Sequence, residues 1–285
     1  MIAVGAAPPC GISQRRRPAS DTTRAVSEPD EHDLLAVARD AARAAAAELT
    51  SRFGKAVEGV HAKSTPTDLA SDADVAAESA IREVLGRLRP GDAILGEEGG
   101  ATGEGELRWV VDPLDGTINF LFGIPAFAVS VACEDSSGTI AGVVLDPIRD
   151  ECFEATRSGP ATLNGEPIHA SERAASLDLA MVATGFGYDS AVRARQAVVV
   201  SRVLPRVRDI RRVGAAALDL AWCACARYDA YYERGVHAWD VAAGALIAER
   251  AGAEVRDLQA ANGDPAGLVV APPALIEELF ALVSG

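Results

Sequence analysis

Residues 109–120 read Trp-Val-Val-Asp-Pro-Leu-Asp-Gly-Thr-Ile-Asn-Phe, an apolar run that ends in two aspartates. The proline between Asp112 and Asp115 limits the freedom of the backbone, so one rigid turn can present both carboxylates. The carbonyl oxygen of Leu114 stays free between them, and all three groups are hard oxygen ligands of the kind that Mg²⁺ and Ca²⁺ prefer. This stretch therefore predicts a site for divalent cations at the end of a strand.

The next two residues can add an anion site to this turn. A helix that begins at Gly116 and Thr117 would direct backbone N–H groups toward a phosphate. Cations and phosphate would then be held side by side. The alternative is a strand that ends in an ordinary turn, because Asp, Pro and Gly are frequent in turns of any function.

Three other stretches carry motifs that match this one in order and spacing. They are Lys-Ser-Thr-Pro-Thr-Asp-Leu-Ala-Ser-Asp-Ala-Asp at 63–74, Leu-Gly-Glu-Glu at 95–98 and Trp-Asp-Val-Ala-Ala-Gly at 239–244. Together with residues 109–120, they resemble the signature of the inositol monophosphatase family. The resemblance covers roughly residues 33 to 284. The Ala/Arg-rich composition, with Gly-Phe-Gly-Tyr at 185–188 and Arg-Arg-Val-Gly at 211–214, resembles actinobacterial members most.

The resemblance implies an α/β fold, a layered α-β-α-β-α sandwich of the inositol monophosphatase and fructose-1,6-bisphosphatase type. It also implies two or three Mg²⁺ ions, since the ligands that it assigns are all oxygens. Asp112 would bridge two ions, and a third, weaker ion near Glu97 would help to activate water. The implied metal ligands are Glu97, Asp112, the Leu114 carbonyl, Asp115 and Asp240.

By the same resemblance, Asp74 and Thr117 would polarise a water molecule for in-line attack on phosphorus. Glu97 would assist through the metal, and Lys63 would approach the metals on a mobile flap. The groups implied in substrate binding are Asp115, Gly116, Thr117, Ala216, Glu233 and Asp240. The implied enzyme is a phosphomonoesterase that hydrolyses myo-inositol 1-phosphate.

Several alternatives to this function remain open. Relatives on the same scaffold hydrolyse histidinol phosphate, fructose 1,6-bisphosphate or 3′-phosphoadenosine 5′-phosphate, and some relatives bind transcription machinery, so a non-catalytic regulator is a further possibility. The Tyr232-Glu233 pair favours a polyol over an adenine nucleotide. Ala215, where many members carry Ser or Thr, removes a hydroxyl near the substrate and weakens the case for inositol.

Each acidic residue also has a structural interpretation that needs no catalysis. Asp240 could be the N-cap of a helix, and Ser71 with Asp74 forms a Ser-x-x-Asp capping pattern. The Glu-Glu pair at 97–98 could be a solvated turn, and Glu233 could be an exposed carboxylate at the end of a strand. Capping alone, however, does not require all four motifs in one chain.

The charge of the chain excludes some partners. Its formal net charge of −14 repels a phosphorylated substrate, so bound cations would have to reverse the sign locally. Backbone binding to nucleic acid needs clustered Lys and Arg, and the basic clusters here are residues 15–17 and 206–212. We therefore expect a small phosphorylated polyol as the substrate and no nucleic-acid partner.

The cysteines and the apolar stretches bear on the compartment. Five cysteines, without a CxxC pair, are expected to be reduced thiols rather than zinc ligands. No stretch is long and apolar enough to be a membrane span, and the first residues lack the pattern of a signal peptide. These features predict a cytoplasmic protein without a membrane partner, and the resemblance implies a homodimer.

The pattern along the chain predicts a Pro/Ser/Arg-rich disordered leader at 1–30 and a single catalytic domain at 31–285, with halves at about 31–180 and 181–285. A flap loop is expected at 54–62. Helices are predicted at 33–53, 72–89, 191–203, 215–226 and 240–251, with a terminal helix to Val283. Strands are predicted at 126–133, 140–146, 151–154, 179–184, 207–210, 229–233 and 267–271. This alternation also indicates a layered α/β sandwich.

Overall fold

The computed structural model describes residues 30–55, 59–261 and 263–285. The predicted leader, apart from Asp30, and residues 56–58 of the predicted flap lie outside this part of the chain. The α-helices within it are α1 (Glu31–Arg52), α2 (Asp72–Leu88), α3 (Thr117–Leu121), α4 (Ser190–Val203), α5 (Ala216–Ala224), α6 (Ala238–Arg250) and α7 (Ile276–Val283). In the described residues, no helix combines the length and the apolar character needed to cross a bilayer.

The strands of the same ranges are β1 (His61–Ala62), β2 (Leu69–Ala70), β3 (Ala93–Gly96), β4 (Gly100–Thr102), β5 (Arg108–Asp115), β6 (Ala128–Asp135), β7 (Gly138–Asp146), β8 (Glu151–Thr156), β9 (Thr162–Leu163), β10 (Glu166–Pro167), β11 (Met181–Thr184), β12 (Asp209–Arg211), β13 (Ala230–Arg234), β14 (Glu254–Leu258) and β15 (Gly267–Ala271). An eight-stranded sheet has the order β10-β9-β8-β7-β6-β5-β3-β4, and a five-stranded sheet has the order β12-β11-β13-β15-β14. β1 and β2 pair separately.

The helices and the two larger sheets form five layers. α1 and α2 cover one face of the eight-stranded sheet, and α5 and α6 lie between its other face and the five-stranded sheet. α4 and α7 cover the outer face of the five-stranded sheet. The α-β-α-β-α sandwich that the sequence predicts is therefore confirmed.

β5 shows why the eight-stranded sheet is apolar on both faces. Successive side chains of a strand point to opposite faces, so Trp109 and Val111 are buried against α1 and α2 while Val110 is buried in the layer of α5 and α6. Burial of each such side chain contributes about 1.5–3 kcal/mol. The central position of β5 fixes the place of the two aspartates at its end.

Most predicted elements lie within a few residues of the observed ones, but three predictions were wrong or incomplete. β5 continues through Asp115, and its pairing with β6 shifts between Asp112 and Asp115, so the turn is an irregularity within the strand. α6 begins at Ala238, two residues before the predicted start. Seven strands were not predicted: β1, β2, β3, β4, β9 and β10 have only two to four residues each, and β14 lacks a clear apolar alternation.

Candidate active site

A cavity of about 380 Å³ opens where the end of β5 meets the first turns of α5 and α6. Its wall contains predicted site residues that are far apart in the sequence. They are Lys63, Glu97, Asp112, Leu114, Asp115, Gly116, Thr117, Ala216, Glu233 and Asp240. Asp74 contacts this wall through Thr117. A larger groove of about 680 Å³ beside α1 contains none of these residues, so chemistry rather than size identifies the candidate site.

The irregular end of β5 positions the first carboxylate. Asp112 is buried, and its Oδ1 accepts a hydrogen bond from the backbone N–H of Leu114 at 2.9 Å. Gly116 follows with φ of +91°, and a side chain there would approach Ala215, so glycine is favoured at the junction with α3. The predicted helix start at Thr117 is confirmed.

The N-terminus of α5 holds the second carboxylate. Ala216 N–H donates to Asp115 Oδ1 at 2.7 Å, and Leu218 N–H donates to Asp115 Oδ2 at 3.0 Å. Ala215, the N-cap of α5, supplies no capping hydrogen bond from its side chain, so Asp115 satisfies these N–H groups from another part of the chain. These hydrogen bonds and the helix N-terminus favour the ionised carboxylate, but burial outweighs them and raises the pKa of Asp115 well above its ordinary value.

α6 contributes the third carboxylate. Asp240 is the third residue of this helix, and its Oδ2 accepts a hydrogen bond from His237 N–H at 2.6 Å. The N-cap interpretation was therefore wrong, because Asp240 occupies the position of the acidic partner in a capping box. Burial raises the pKa of Asp240 to about 6.

Glu97 lies in the turn after β3 and is paired with a lysine. Lys63 Nζ donates to Glu97 Oε1 at 2.8 Å and also to Glu98. Burial opposes the charge of Lys63, but the two carboxylates outweigh it and raise its pKa. The side chains of Glu97 and Glu98 are 22% and 14% exposed, so the interpretation as a solvated turn was wrong.

Asp74 both completes the N-terminal capping box of α2 and bonds to a residue of the cavity wall. Its Oδ2 accepts hydrogen bonds from Ser71 N–H at 2.9 Å and from Ser71 Oγ at 2.7 Å, which completes the predicted capping box. Its Oδ1 lies 2.9 Å from Thr117 Oγ1. The two oxygens of one carboxylate thus serve different purposes, and the structural and functional interpretations of Asp74 are compatible.

Glu233, in β13, also lines the cavity. Tyr231 Oη donates to Glu233 Oε2 at 2.7 Å, and burial raises the pKa of Glu233 to about 7 although this hydrogen bond opposes the shift. The alternative of an exposed carboxylate at a strand end was wrong, because Glu233 is half-buried and lines the cavity.

The carboxylates form one acidic cluster. Asp112 lies close enough to Glu97 and Asp240 for their charges to interact. Burial raises the pKa of Asp112 well above its ordinary value, and repulsion from Glu97, Asp115 and Asp240 raises it further. Such a concentration of oxygen donors and negative charge is suited to a hard divalent cation, which would remove the repulsion.

The present side-chain positions do not yet form a coordination shell. Within the described ranges, no three or more His, Cys, Asp or Glu side chains form a group that could hold a metal ion as they stand. Lys63 pairs with Glu97, and backbone N–H groups bond to Asp115 and Asp240. The donor set fits the ion in its chemistry: the N–H bonds leave lone pairs of Asp115 and Asp240 free, whereas an ion would compete with Lys63 for Glu97.

We expect the melting temperature of the metal-free protein to fall as pH rises from about 4 to about 7, and to level off above that. The folded-state pKa values of Asp240 and Glu233 exceed the ordinary values of 3.8 and 4.5, so in this range the folded state binds more protons than the unfolded state. A rise in pH therefore lowers the free energy of unfolding, because the folded state has more protons to lose than the unfolded state. Differential scanning calorimetry from pH 5 to 8 tests this.

Saturating Mg²⁺ is the control for the pH series, because an ion favours the ionised carboxylates and should remove or reverse the fall. Glu233→Gln isolates one contribution, since the amide does not titrate. If the metal-free wild type and Glu233→Gln have the same pH dependence between 5 and 7, the assignment of a raised pKa to Glu233 is wrong.

The sequence-based prediction missed several residues that line the cavity. They are Phe186, Tyr188, Arg212, His237 and Trp239. The His237 and Trp239 rings stack with centroids 4.8 Å apart, and the Arg212 guanidinium lies 5.8 Å from the Phe186 ring centroid. Each of these residues lies in or beside a stretch that carries the family resemblance, but that signal did not indicate which side chains face the cavity.

The five-layer α/β sandwich has its carboxylate-rich cavity at the end of β5, and a model of a phosphatase family matches almost the whole chain. The chain belongs to the inositol monophosphatase family, because the model described as "Inositol monophosphatase family" matches residues 30–284. The resemblance predicted from the four motifs is therefore confirmed.

Individual relatives agree with this membership. The inositol-1-monophosphatase SuhB of Mycobacterium tuberculosis is 46% identical over 242 residues, which cover 81% of this chain and 83% of the relative. The Nus factor SuhB of Xylella fastidiosa is 43% identical over 224 residues, with 78% and 81% covered. The crystal structure of the extragenic suppressor protein suhB from Bartonella henselae matches with a TM-score of 0.81 and 34% identity, covering 88% of this chain and 98% of that one.

Proposed function

We propose that this phosphatase is a Mg²⁺-dependent phosphomonoesterase that hydrolyses myo-inositol 1-phosphate to inositol and phosphate. One observation carries the proposal: Glu97, Asp112, Asp115 and Asp240, from three separate elements, line one cavity beside Gly116 and the start of α3. Oxygen ligands for cations thus lie next to backbone groups that suit an anion. The mycobacterial relative named inositol-1-monophosphatase SuhB supports the choice of substrate.

The oxygen donors divide into two overlapping sets. Glu97, Asp112 and the Leu114 carbonyl would hold one ion, and Asp112, Asp115 and Asp240 would hold another. A set without nitrogen or sulfur favours Mg²⁺ over zinc. When bound, Mg²⁺ supplies positive charge that offsets the charges of the phosphate and of the leaving oxygen and makes water more acidic. A third, more weakly bound ion would lie near Glu97 and help to activate water.

Asp74 and Thr117 provide the path for a proton from the attacking water. The Thr117 hydroxyl lies 2.9 Å from Asp74 Oδ1, so its proton can pass to this carboxylate while its oxygen accepts a proton from water. Asp74 is fully buried, and Ser71 fixes its other oxygen. The pair is therefore held in one geometry before the substrate arrives. Lys63, paired with Glu97, would assist from the side of the predicted flap.

The substrate would be held by groups that line the cavity. The N–H groups of Gly116 and Thr117 would donate to phosphate oxygens. Glu233 would accept hydrogen bonds from hydroxyls of the polyol, and Asp115, Asp240 and the first turn of α5 at Ala216 complete the predicted contacts. Since Ala216 N–H already bonds to Asp115, its contribution to the substrate is through the position of that carboxylate.

Phosphate release from a panel of substrates tests this function. The panel contains inositol 1-phosphate, histidinol phosphate, fructose 1,6-bisphosphate and 3′-phosphoadenosine 5′-phosphate, each with Mg²⁺ and after removal of divalent ions by a chelator. We expect activity only with Mg²⁺ and the highest kcat/KM for inositol 1-phosphate. Equal release without divalent ions would contradict the mechanism, and a higher kcat/KM for another substrate would replace inositol 1-phosphate in the proposal.

The Xylella fastidiosa relative, which is named a Nus factor, favours a second candidate function in transcription. A chain retained only for binding would not need a complete set of carboxylates in its cavity, whereas this chain has one. We therefore place catalysis first. A variant without phosphatase activity that still binds the transcription machinery would show that the second function exists and does not use the cavity.

A further inference from the structure

Glu78 is a buried carboxylate outside the predicted site. It lies in α2, one helical turn after Asp74, so both side chains are on the same face of the helix. The residue is only 3% exposed, and a charge at such a position requires partners. It does not line the cavity, so its partners must explain why it is there.

Those partners are the backbone of the turn that carries Glu97. Glu78 Oε2 accepts a hydrogen bond from Glu98 N–H at 2.8 Å, and Oε1 accepts one from Gly99 N–H at 2.9 Å. Arg82 supports the carboxylate from the other side, with Nε 2.6 Å from Glu78 Oε1. Arg82 Nη2 also donates to the carbonyl oxygen of Gly100, which follows the turn, at 2.8 Å.

Two glycines of the turn leave the space that this carboxylate occupies. A Cβ at Gly96 would lie 2.6 Å from Glu78 Oε1, and a Cβ at Gly99 would lie 2.5 Å from the same atom. Two glycines therefore allow the backbone to close on the carboxylate on both sides of Glu97. The glycines of the sequence Gly-Glu-Glu-Gly at 96–99 are thus explained by their contact with the Glu78 carboxylate and not only by the preference of glycine for turns.

We propose that Glu78 is a positioning residue that fixes the turn at 96–99 so that Glu97 points into the cavity. The inference rests on the proposed function, in which Glu97 is a metal ligand. Because Asp74 and Glu78 belong to the same helix, α2 sets the position of the proton acceptor and of one metal ligand together. Glu78 itself touches neither substrate nor ion.

Glu78→Gln tests this role with little change in volume. The glutamine has one acceptor oxygen instead of two, and its amide group would face a backbone N–H donor, so the turn loses at least one hydrogen bond. Partners that orient a metal ligand typically contribute about 10- to 100-fold to metal affinity. We expect the dissociation constant for Mn²⁺, measured by electron paramagnetic resonance on metal-free protein, to rise about 10-fold or more.

The kinetic readout separates positioning from a general loss of structure. At saturating Mg²⁺, kcat and the KM for inositol 1-phosphate should stay within about threefold of wild type, while the Mg²⁺ concentration for half-maximal activity rises with the Mn²⁺ constant. Glu83→Gln, the same change at an exposed position of α2, is the matched control and should bind Mn²⁺ as wild type does.

Gly99→Ala disturbs the contact between Glu78 and the turn without changing Glu78, and it replaces Glu78→Gln if that variant does not fold. Its methyl group would displace the Glu78 carboxylate, whereas Gly86→Ala in α2 meets open space and serves as its control. If wild type binds no Mn²⁺, the proposed function fails. If wild type binds Mn²⁺ and Glu78→Gln and Gly99→Ala bind it equally well, only the positioning role of Glu78 is overturned.

Discussion

Asp112→Asn is expected to lower kcat/KM for inositol 1-phosphate about 10³-fold or more. In the proposed site, Asp112 is the ligand shared by both ions, and metal-ion catalysis contributes several kcal/mol to stabilisation of the transition state. A loss of about 4 kcal/mol corresponds to about a 10³-fold fall in rate. Steady-state phosphate release over a range of Mg²⁺ concentrations measures the effect, and added Mg²⁺ should not restore the rate.

The same variant should keep its fold. The amide oxygen of asparagine can still accept the hydrogen bond from Leu114 N–H, and the substitution removes a charge that Glu97 and Asp240 repel. The melting temperature without metal should therefore not fall, while the increase on adding Mg²⁺ should be lost. Asp257→Asn, at an exposed position of β14, is the control. Activity of Asp112→Asn within tenfold of wild type would contradict the role of Asp112.

Asp74→Asn is expected to lower kcat about 10²- to 10⁴-fold without changing the affinity for Mg²⁺. An amide cannot accept the proton that Thr117 passes on, and general base catalysis typically contributes a factor of this size. Asp74 is not in the proposed set of metal ligands, so the Mg²⁺ dependence should match wild type. Single-turnover phosphate release at saturating Mg²⁺ and substrate measures the chemical step.

The capping role of Asp74 has to be separated from its catalytic role. Ser71→Ala removes the hydroxyl that bonds to the other oxygen of Asp74, and such a change costs about 1 kcal/mol of stability. Ser71→Ala should lower the melting temperature, but it should lower kcat much less than Asp74→Asn does. If Ser71→Ala and Asp74→Asn reduce kcat equally, the fall reflects the loss of the cap and not the loss of a proton acceptor.

The sequence predicted the layers and the convergence of the carboxylates for identifiable reasons. The apolar run before Asp112 and the rigid turn after it depend on local chemistry, since a proline and a glycine restrict the same few residues. The long helices α1 and α2 were also predicted, because apolar residues recur at helical spacing along them. The order of the four motifs then indicated which distant segments must meet.

The contacts between distant segments could not be predicted in the same way. The bonds from the first turn of α5 to Asp115 and from the turn at 96–99 to Glu78 use backbone N–H groups, which every residue carries. The start of α6 was placed at Asp240 because an aspartate is frequent at an N-cap, but the aspartate bonds back to His237 from inside the helix. The partners of these backbone N–H groups and the position of Asp240 in its helix depend on tertiary structure, which the local sequence does not specify.

The most direct measurement is anomalous diffraction from crystals of this protein grown with Mn²⁺ and phosphate. The proposed site predicts at least two Mn²⁺ peaks about 3.5–4 Å apart that share Asp112, with Glu97 on one ion, Asp115 and Asp240 on the other, and phosphate against Gly116. Occupied Mn²⁺ sites elsewhere on the protein, with no peak at Asp112, would contradict it.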